Sequence, residues 1–440
     1  MAKVMLSFLG TNKYLECNYE YNNVVIKNVH YVQEAIAKLF CNEWGKGDSI
    51  IVFVTEEAYK TNWVTGTSYE NKTIDGLEKV LHVFAQYKNV TVKHVPISSG
   101  QNEEEIWSIF DAVINSVNQD DEIIIDVTHA FRAIPMLAVV MINYLQLVKN
   151  VSFIGLYYGA IESLGRIQDI ALRDVKERNA PIIDLGSFVY LLQFSNGVYN
   201  FIQYGDASEI SKYALNTVKP ILKESQGKDE ISQKIRQIAE SLKTITQNFA
   251  YCRGKDIIKF NYAKLYQDIQ KLNEYFDGKV LPLKPLQPLL DNILQKLDLF
   301  KEFDDGVSAT KGIVAAKWCL EHNLIQQSIT LLLESLITMI CIQNNLEYTN
   351  RKYRDVIVTT FRLVHSQKTG KAIKIEDEVK QEVERLVSDP LILSLNNTYD
   401  KLMQIRNDIN HANFRKNTKK SEDIYKEIQE ILIEVLAIVK

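Results

Sequence analysis

The sequence predicts an α/β doubly wound N-terminal domain followed by all-α regions, and three observations carry that prediction. Over the first 185 residues, short β-rich runs that are apolar almost throughout alternate with amphipathic stretches. Strands apolar on both faces belong to a parallel sheet covered by helices on each side. After "APIIDLG" strand patterns vanish, and apolar residues recur at helical spacing with Lys, Glu and Gln between them.

The strand candidates in chain order are "KVMLSFLG", "DSIIVFVT", "NVTVKHVPI", "DEIIIDVT" and "VSFIGLYYG", with "PIID" as a shorter sixth. Helical stretches around residues 28–42, 72–88, 102–118 and 133–148 separate them. Strand, helix and strand repeated in this way build a Rossmann-like sheet, in which ligands sit beyond the C-terminal ends of the strands. In the second half, "FDGKVLPLKPLQPLL" holds three of the eight prolines and breaks the helical pattern near residue 280. The expected organisation is an α/β domain at 1–185, a helical connecting domain at 186–305 and a second helical domain at 306–440.

Bulk properties exclude several classes. Of the 440 residues, 46% are hydrophobic and 24% charged, ordinary for a globular protein. No run of eighteen apolar residues is present, so no membrane span is expected, and "MAKVMLSFLG" lacks the layout of a signal peptide. Cys17, Cys41, Cys252, Cys319 and Cys341 are odd in number and scattered, without a CxxC pair. They argue against a disulfide framework or a zinc site and fit a cytoplasmic location. A net charge of −4 offers no support for nonspecific binding of long duplexes, and no DNA partner is expected. One local basic bias, "FRKNTKK", carries Arg415, Lys416, Lys419 and Lys420.

The residues just past each strand are the candidate ligand contacts. After the first strand come Gly10, Thr11, Asn12 and Tyr14: a glycine for close backbone approach, donors and acceptors, and a ring able to stack. After the third come Ser98, Ser99 and Gly100, and after the fifth "YYGA". The fourth loop, "DVTHAFRAIP", places Asp126, Thr128, His129, Phe131 and Arg132 at a strand-to-helix junction, with Pro135 in the first turn of the helix. A helix N-terminus beside Thr128, His129 and Arg132 suits an anion. No GxGxxG and no GxxxxGK[ST] occurs, so neither a dinucleotide fingerprint nor a P-loop is expected.

"DVTHAFRAIP" resembles the DxTHG signature of CRISPR-associated proteins that carry a CARF sensor domain, with Ala130 where that pattern has glycine. "LSFLGTNKY" is similar to the opening strand and loop of the same family, and "AAKWCLEHNLIQQSITLLLESL" looks like the helical segment that opens its effector domain. Near the end, "RNDINH" matches the HEPN ribonuclease motif of an arginine, a polar residue, three further residues and a histidine, through Arg406, Asn407 and His411. The residue types suit metal-free RNA cleavage. A histidine moves protons while the 2′-hydroxyl attacks the adjacent phosphorus, and a guanidinium holds the charge that develops.

The resemblance implies an endoribonuclease for single-stranded RNA in type III CRISPR antiviral defence. Its activator would be a cyclic oligoadenylate, cyclic tetra-adenylate by preference, with no cofactor and no metal. It also implies a homodimer, higher assembly being left open, in which two copies of Arg406 and His411 make one composite site. In that picture Thr11, Thr128, Arg132 and backbone amides meet the ring's phosphates, and Tyr14 and Phe131 stack on adenines. Two alternatives compete with it. One is a sensor that does not cut RNA, and the other is a CARF domain that also cleaves its own ring activator.

Overall fold

Lys3–Leu9 forms the central strand of the N-terminal half. Its side chains alternate between two buried layers, Val4, Leu6 and Phe8 on one side and Met5 and Leu9 on the other. The computed structural model describes residues 1–129, 134–279, 286–304, 306–370, 373–412, 414 and 418–439. The chain divides into two units, Met1–Leu192 and Gln193–Lys440.

In the first unit the strands are β1 (Lys3–Leu9), β2 (Cys17–Tyr21), β3 (Val24–Val29), β4 (Ser49–Val54), β5 (Thr65–Thr67), β6 (Thr73–Asp75), β7 (Thr91–Pro96), β8 (Glu122–Asp126), β9 (Ser152–Gly159) and β10 (Asn179–Asp184). Eight of them form one sheet in the order β3-β2-β10-β9-β8-β1-β4-β7, while β5 and β6 pair separately. The stretch β7-β4-β1-β8-β9 is parallel throughout. Helices Val32–Phe40 and Leu77–Ala85 cover one face through Ile36 and Leu81. Helices Glu103–Asn115 and Ile134–Lys149 cover the other through Ile109, Val113, Ala138 and Met141. The winding reverses between β1 and β8, which places the crevice of a doubly wound sheet at the C-terminal ends of those two strands.

All six expected strands are present, but the sheet is mixed rather than parallel. β10 runs antiparallel to β9, and it joins β2, which pairs antiparallel with β3. The β2–β3 hairpin occupies residues where the sequence suggests loop and the start of a helix. Its turn is Asn22–Asn23, both at positive φ (48° and 66°), the signature of a tight two-residue hairpin that asparagine tolerates.

Among the described residues, the regular structure of the second unit is helical throughout. One continuous core runs from Val198 to Val435, so the helices before and after residue 305 share it. Trp318 sits at its centre, with the rings of Phe201, Phe249 and Phe300 at 5.4, 5.8 and 6.1 Å. The helix Ile325–Gln343 is long and apolar enough, by length and composition, to cross a membrane. Leu332, Leu336 and Ile340 on it are nonetheless fully buried in this core. The helix Pro390–Asn410 begins with Asp389, whose Oδ1 accepts from the amides of Leu391 (2.9 Å) and Ile392 (3.0 Å), and has Pro390 in its first turn.

Candidate ligand-binding and catalytic sites

At the crevice of the first unit, Ser7 on β1 and Asp126 on β8 meet inside the sheet. Ser7 Oγ donates to Asp126 Oδ2 at 2.7 Å, and both residues are fully buried. The other carboxylate oxygen of Asp126 accepts from the Thr128 amide (2.9 Å) and the Thr128 hydroxyl (2.6 Å). Thr128 Oγ1 in turn accepts from the Gly159 amide at 2.9 Å. Burial raises the Asp126 carboxyl above its ordinary pKa, against the lowering effect of these donors. Asp126 and Thr128 thus lock the turn after β8 to β1 and β9, and the Thr128 hydroxyl is committed inside the fold rather than free for a phosphate.

Tyr14 is also turned inward. It is 6% exposed, its hydroxyl accepts from the Gly10 amide at 3.2 Å, and its ring lies 4.8 Å from Tyr31 and 4.9 Å, edge-on, from His129. Stacking on an adenine, as its position in the sequence suggests, would need this packing to open; in the structure it holds the loop in shape. His129 is half-buried, and burial pushes its imidazole pKa down to about 4. Its Nε2 is buried without a hydrogen-bond partner among the described residues.

Thr11 and Asn12 are exposed, and their side chains make no hydrogen bond among the described residues. Asn62, which the sequence reading missed, shapes their loop: its Nδ2 donates to the carbonyls of Gly10 (2.8 Å) and Asn12 (3.0 Å). Nothing in the local sequence of Asn62 marks that role. Ser98, Ser99 and Gly100 follow β7, two strands away from β1, which is about 10 Å at ordinary strand spacing. Phe131 and Arg132 lie outside the described residues, as does Ala130.

In the second unit the helix carrying Arg406 and Asn407 ends at Asn410, so His411 is its cap (φ −93°, ψ 12°) and not a helical residue. Ala412 at φ 50° then turns the chain away. Arg406 and His411 are both exposed. Arg406 has no carboxylate partner among the described residues, and its Nη1 lies 3.9 Å from Met403 Sδ. Asn407 is half-buried and lines a cleft of about 350 Å³. Asp408 turns elsewhere, its Oδ2 accepting from the Lys419 amide at 3.3 Å. Arg415 and Lys416 of the basic segment lie outside the described residues.

No family model matches the chain. It is similar to a CRISPR-associated protein of Methanocaldococcus jannaschii. The two are 27% identical over 268 residues, which is 60% of this chain and 36% of that protein, so the match spans about a third of the relative's length. At 268 residues it is longer than either unit, Met1–Leu192 or Gln193–Lys440, and therefore includes parts of both.

A guanidinium without an ion pair among the described residues, about one and a half helical turns before a capping imidazole, can bind a phosphodiester while the imidazole moves a proton beside it. In the first unit the buried Asp126 carboxylate and the half-buried His129 are instead packed within the sheet crevice. Among the described residues no group of three or more His, Cys, Asp or Glu is placed to hold a metal ion.

Proposed function

We propose that this protein is an endoribonuclease of CRISPR defence that cleaves single-stranded RNA when a cyclic oligoadenylate binds its α/β unit. The observation that carries this reading is Arg406, exposed and without a carboxylate partner among the described residues, near the end of a helix capped by His411. The motif resemblance and the likeness to a CRISPR-associated protein support it.

In the proposed mechanism His411 takes the 2′-hydroxyl proton as that oxygen attacks phosphorus in line, and Arg406 binds the non-bridging oxygens as their charge rises. Asn407 orients the phosphate. A second copy of the chain contributes its own Arg406 and His411, so one histidine serves as base and the other as acid. The ring activator sits over the ends of β1 and β8, against Gly10, Thr11 and Asn12, and binds best to the dimer geometry in which the catalytic pair is set for cleavage.

A second reading is favoured by one observation. The His411 ring has no hydrogen-bond partner among the described residues of its own chain, so nothing there orients it. If no second copy supplies that orientation, the protein is a ring-binding regulator that does not cut.

The deciding experiment is cleavage of a fluorescent single-stranded RNA in EDTA, with and without cyclic tetra- or hexa-adenylate, for wild type and His411→Ala. Ring-dependent cleavage that falls by about 10²–10⁴ in the variant supports the enzyme reading. Ring binding without cleavage supports the regulator.

A further inference from the structure

The cleft lined by Asn407 extends the candidate catalytic helix sideways. It runs between the helices Arg351–Thr369 and Pro390–Asn410, and its volume of about 350 Å³ lies at the small end of the roughly 300–1,000 Å³ typical of ligand pockets. That suits one nucleoside better than a longer stretch of strand. Its inner wall is the stacked pair Phe361 and Tyr399, ring centroids 4.0 Å apart and planes within 5°. Met403, against which Arg406 folds, is also part of the lining, so the cleft and the guanidinium are contiguous.

The polar lining mixes donors with acceptors. Asp400 Oδ2 accepts from Gln404 Nε2 at 2.7 Å, while its Oδ1 faces His365 Nδ1 at 3.8 Å, too long for a hydrogen bond and open to a base edge; the Asp400 and His365 side chains are 34% and 42% exposed. A pair so loose and so exposed contributes little to stability. Asn396 is 1% exposed; its Nδ2 donates to the Phe361 carbonyl at 2.9 Å, while its Oδ1 has no donor among the described residues. Arg362 lines the same cleft and, like Arg406, has no carboxylate partner among the described residues. Single-stranded RNA is recognised by splaying out a base, stacking it on an aromatic or guanidinium plane and bonding its edge.

We propose that this cleft holds one nucleoside of the RNA strand next to the phosphate bound by Arg406, and that Asp400 selects a base bearing an exocyclic amine. Adenine, cytosine and guanine present such a donor; uracil has no exocyclic amine, and its one edge donor, the ring N3–H, is flanked on both sides by carbonyls that a carboxylate repels. This inference rests on the reading of the protein as one that binds RNA, and deepens it.

The test uses the full chain carrying His411→Ala, so that RNA survives, with and without Asp400→Asn. Fluorescence anisotropy reports the affinity for oligo-A, oligo-C and oligo-U. Oligo-A and oligo-C are expected to bind about tenfold more tightly than oligo-U, the scale of one charge-assisted hydrogen bond, and Asp400→Asn to erase most of that ratio. An unchanged melting temperature excludes misfolding as the cause. Equal affinities in the parent, the same ratio in Asp400→Asn, or no RNA binding at all would overturn the proposal. Cut sites mapped in the His411-intact protein separate the two readings. RNA bound selectively but never cut leaves the cleft standing and removes the enzyme. Cleavage whose sites do not move in Asp400→Asn removes the cleft and leaves the enzyme.

Discussion

Ser7 Oγ donates to Asp126 Oδ2 at 2.7 Å, joining β1 to β8 where the winding of the sheet reverses. The same carboxylate holds the amide and hydroxyl of Thr128, so one buried side chain fixes the crevice in which a strand-end ligand would sit. Asp126→Ala leaves three donors without their acceptor and opens a cavity. The expected cost is about 2–4 kcal/mol, seen as a fall of roughly 5–15 °C in the melting temperature of this unit. A melting temperature unchanged within a degree would mean the carboxylate is dispensable to the fold.

His129 gives that unit a pH dependence. Its folded pKa of about 4 lies below the ordinary 6.5, so the unfolded chain takes up the proton first as pH falls. The contribution of His129 is therefore fully present above about pH 6.5 and is lost progressively down to about pH 4. In His129→Phe, thermal melts between those limits should lose the part of the slope owed to this one proton. Parallel curves for wild type and variant would show that the imidazole is not held neutral.

Lys311 is the corresponding internal tie in the helical unit. It is 1% exposed, and its Nζ donates to the carbonyls of Phe260, Asp304 and Gly306 at 2.9, 2.5 and 2.5 Å. Lys311→Met keeps most of the volume but leaves those carbonyls without their charged donor. A loss of about 2–4 kcal/mol is expected in urea unfolding, with the midpoint shifted and the slope unchanged. A midpoint equal to that of wild type would show that other donors satisfy the loop.

The strands of the parallel sheet were legible in the sequence because they are apolar on both faces, as β1 and β4 show. The β2–β3 hairpin was not, since Cys17 and Tyr19 point inward while β3 is half exposed and the run is full of asparagine. Its turn, Asn22–Asn23, was the available signal. Arg406, Asn407 and His411 were legible as a spacing, but where the helix ends was not. The cap depends on Ala412 turning to positive φ, which alanine does not advertise. His365 and Asp400 were invisible because separate helices bring them together. Tyr14 read as a free ring, because a tyrosine in a loop gives no sign that Tyr31 and His129 enclose it.

Arg406→Lys tests the guanidinium itself. The position is exposed and free of ion pairs among the described residues, so either side chain is accommodated without loss of stability. Lysine keeps the charge but presents a compact ammonium in place of the planar fork that grips two phosphate oxygens at once. If Arg406 stabilises the transition state as proposed, ring-activated cleavage by Arg406→Lys should fall about 10²–10³-fold in kcat, with KM for RNA changed far less. If instead Arg406 only attracts the strand as a positive charge, lysine should restore most of the rate, and Arg406→Ala should raise KM while leaving kcat nearly intact. Single-turnover rates of the three proteins on one fluorescent RNA, at saturating cyclic tetra-adenylate, separate the two roles.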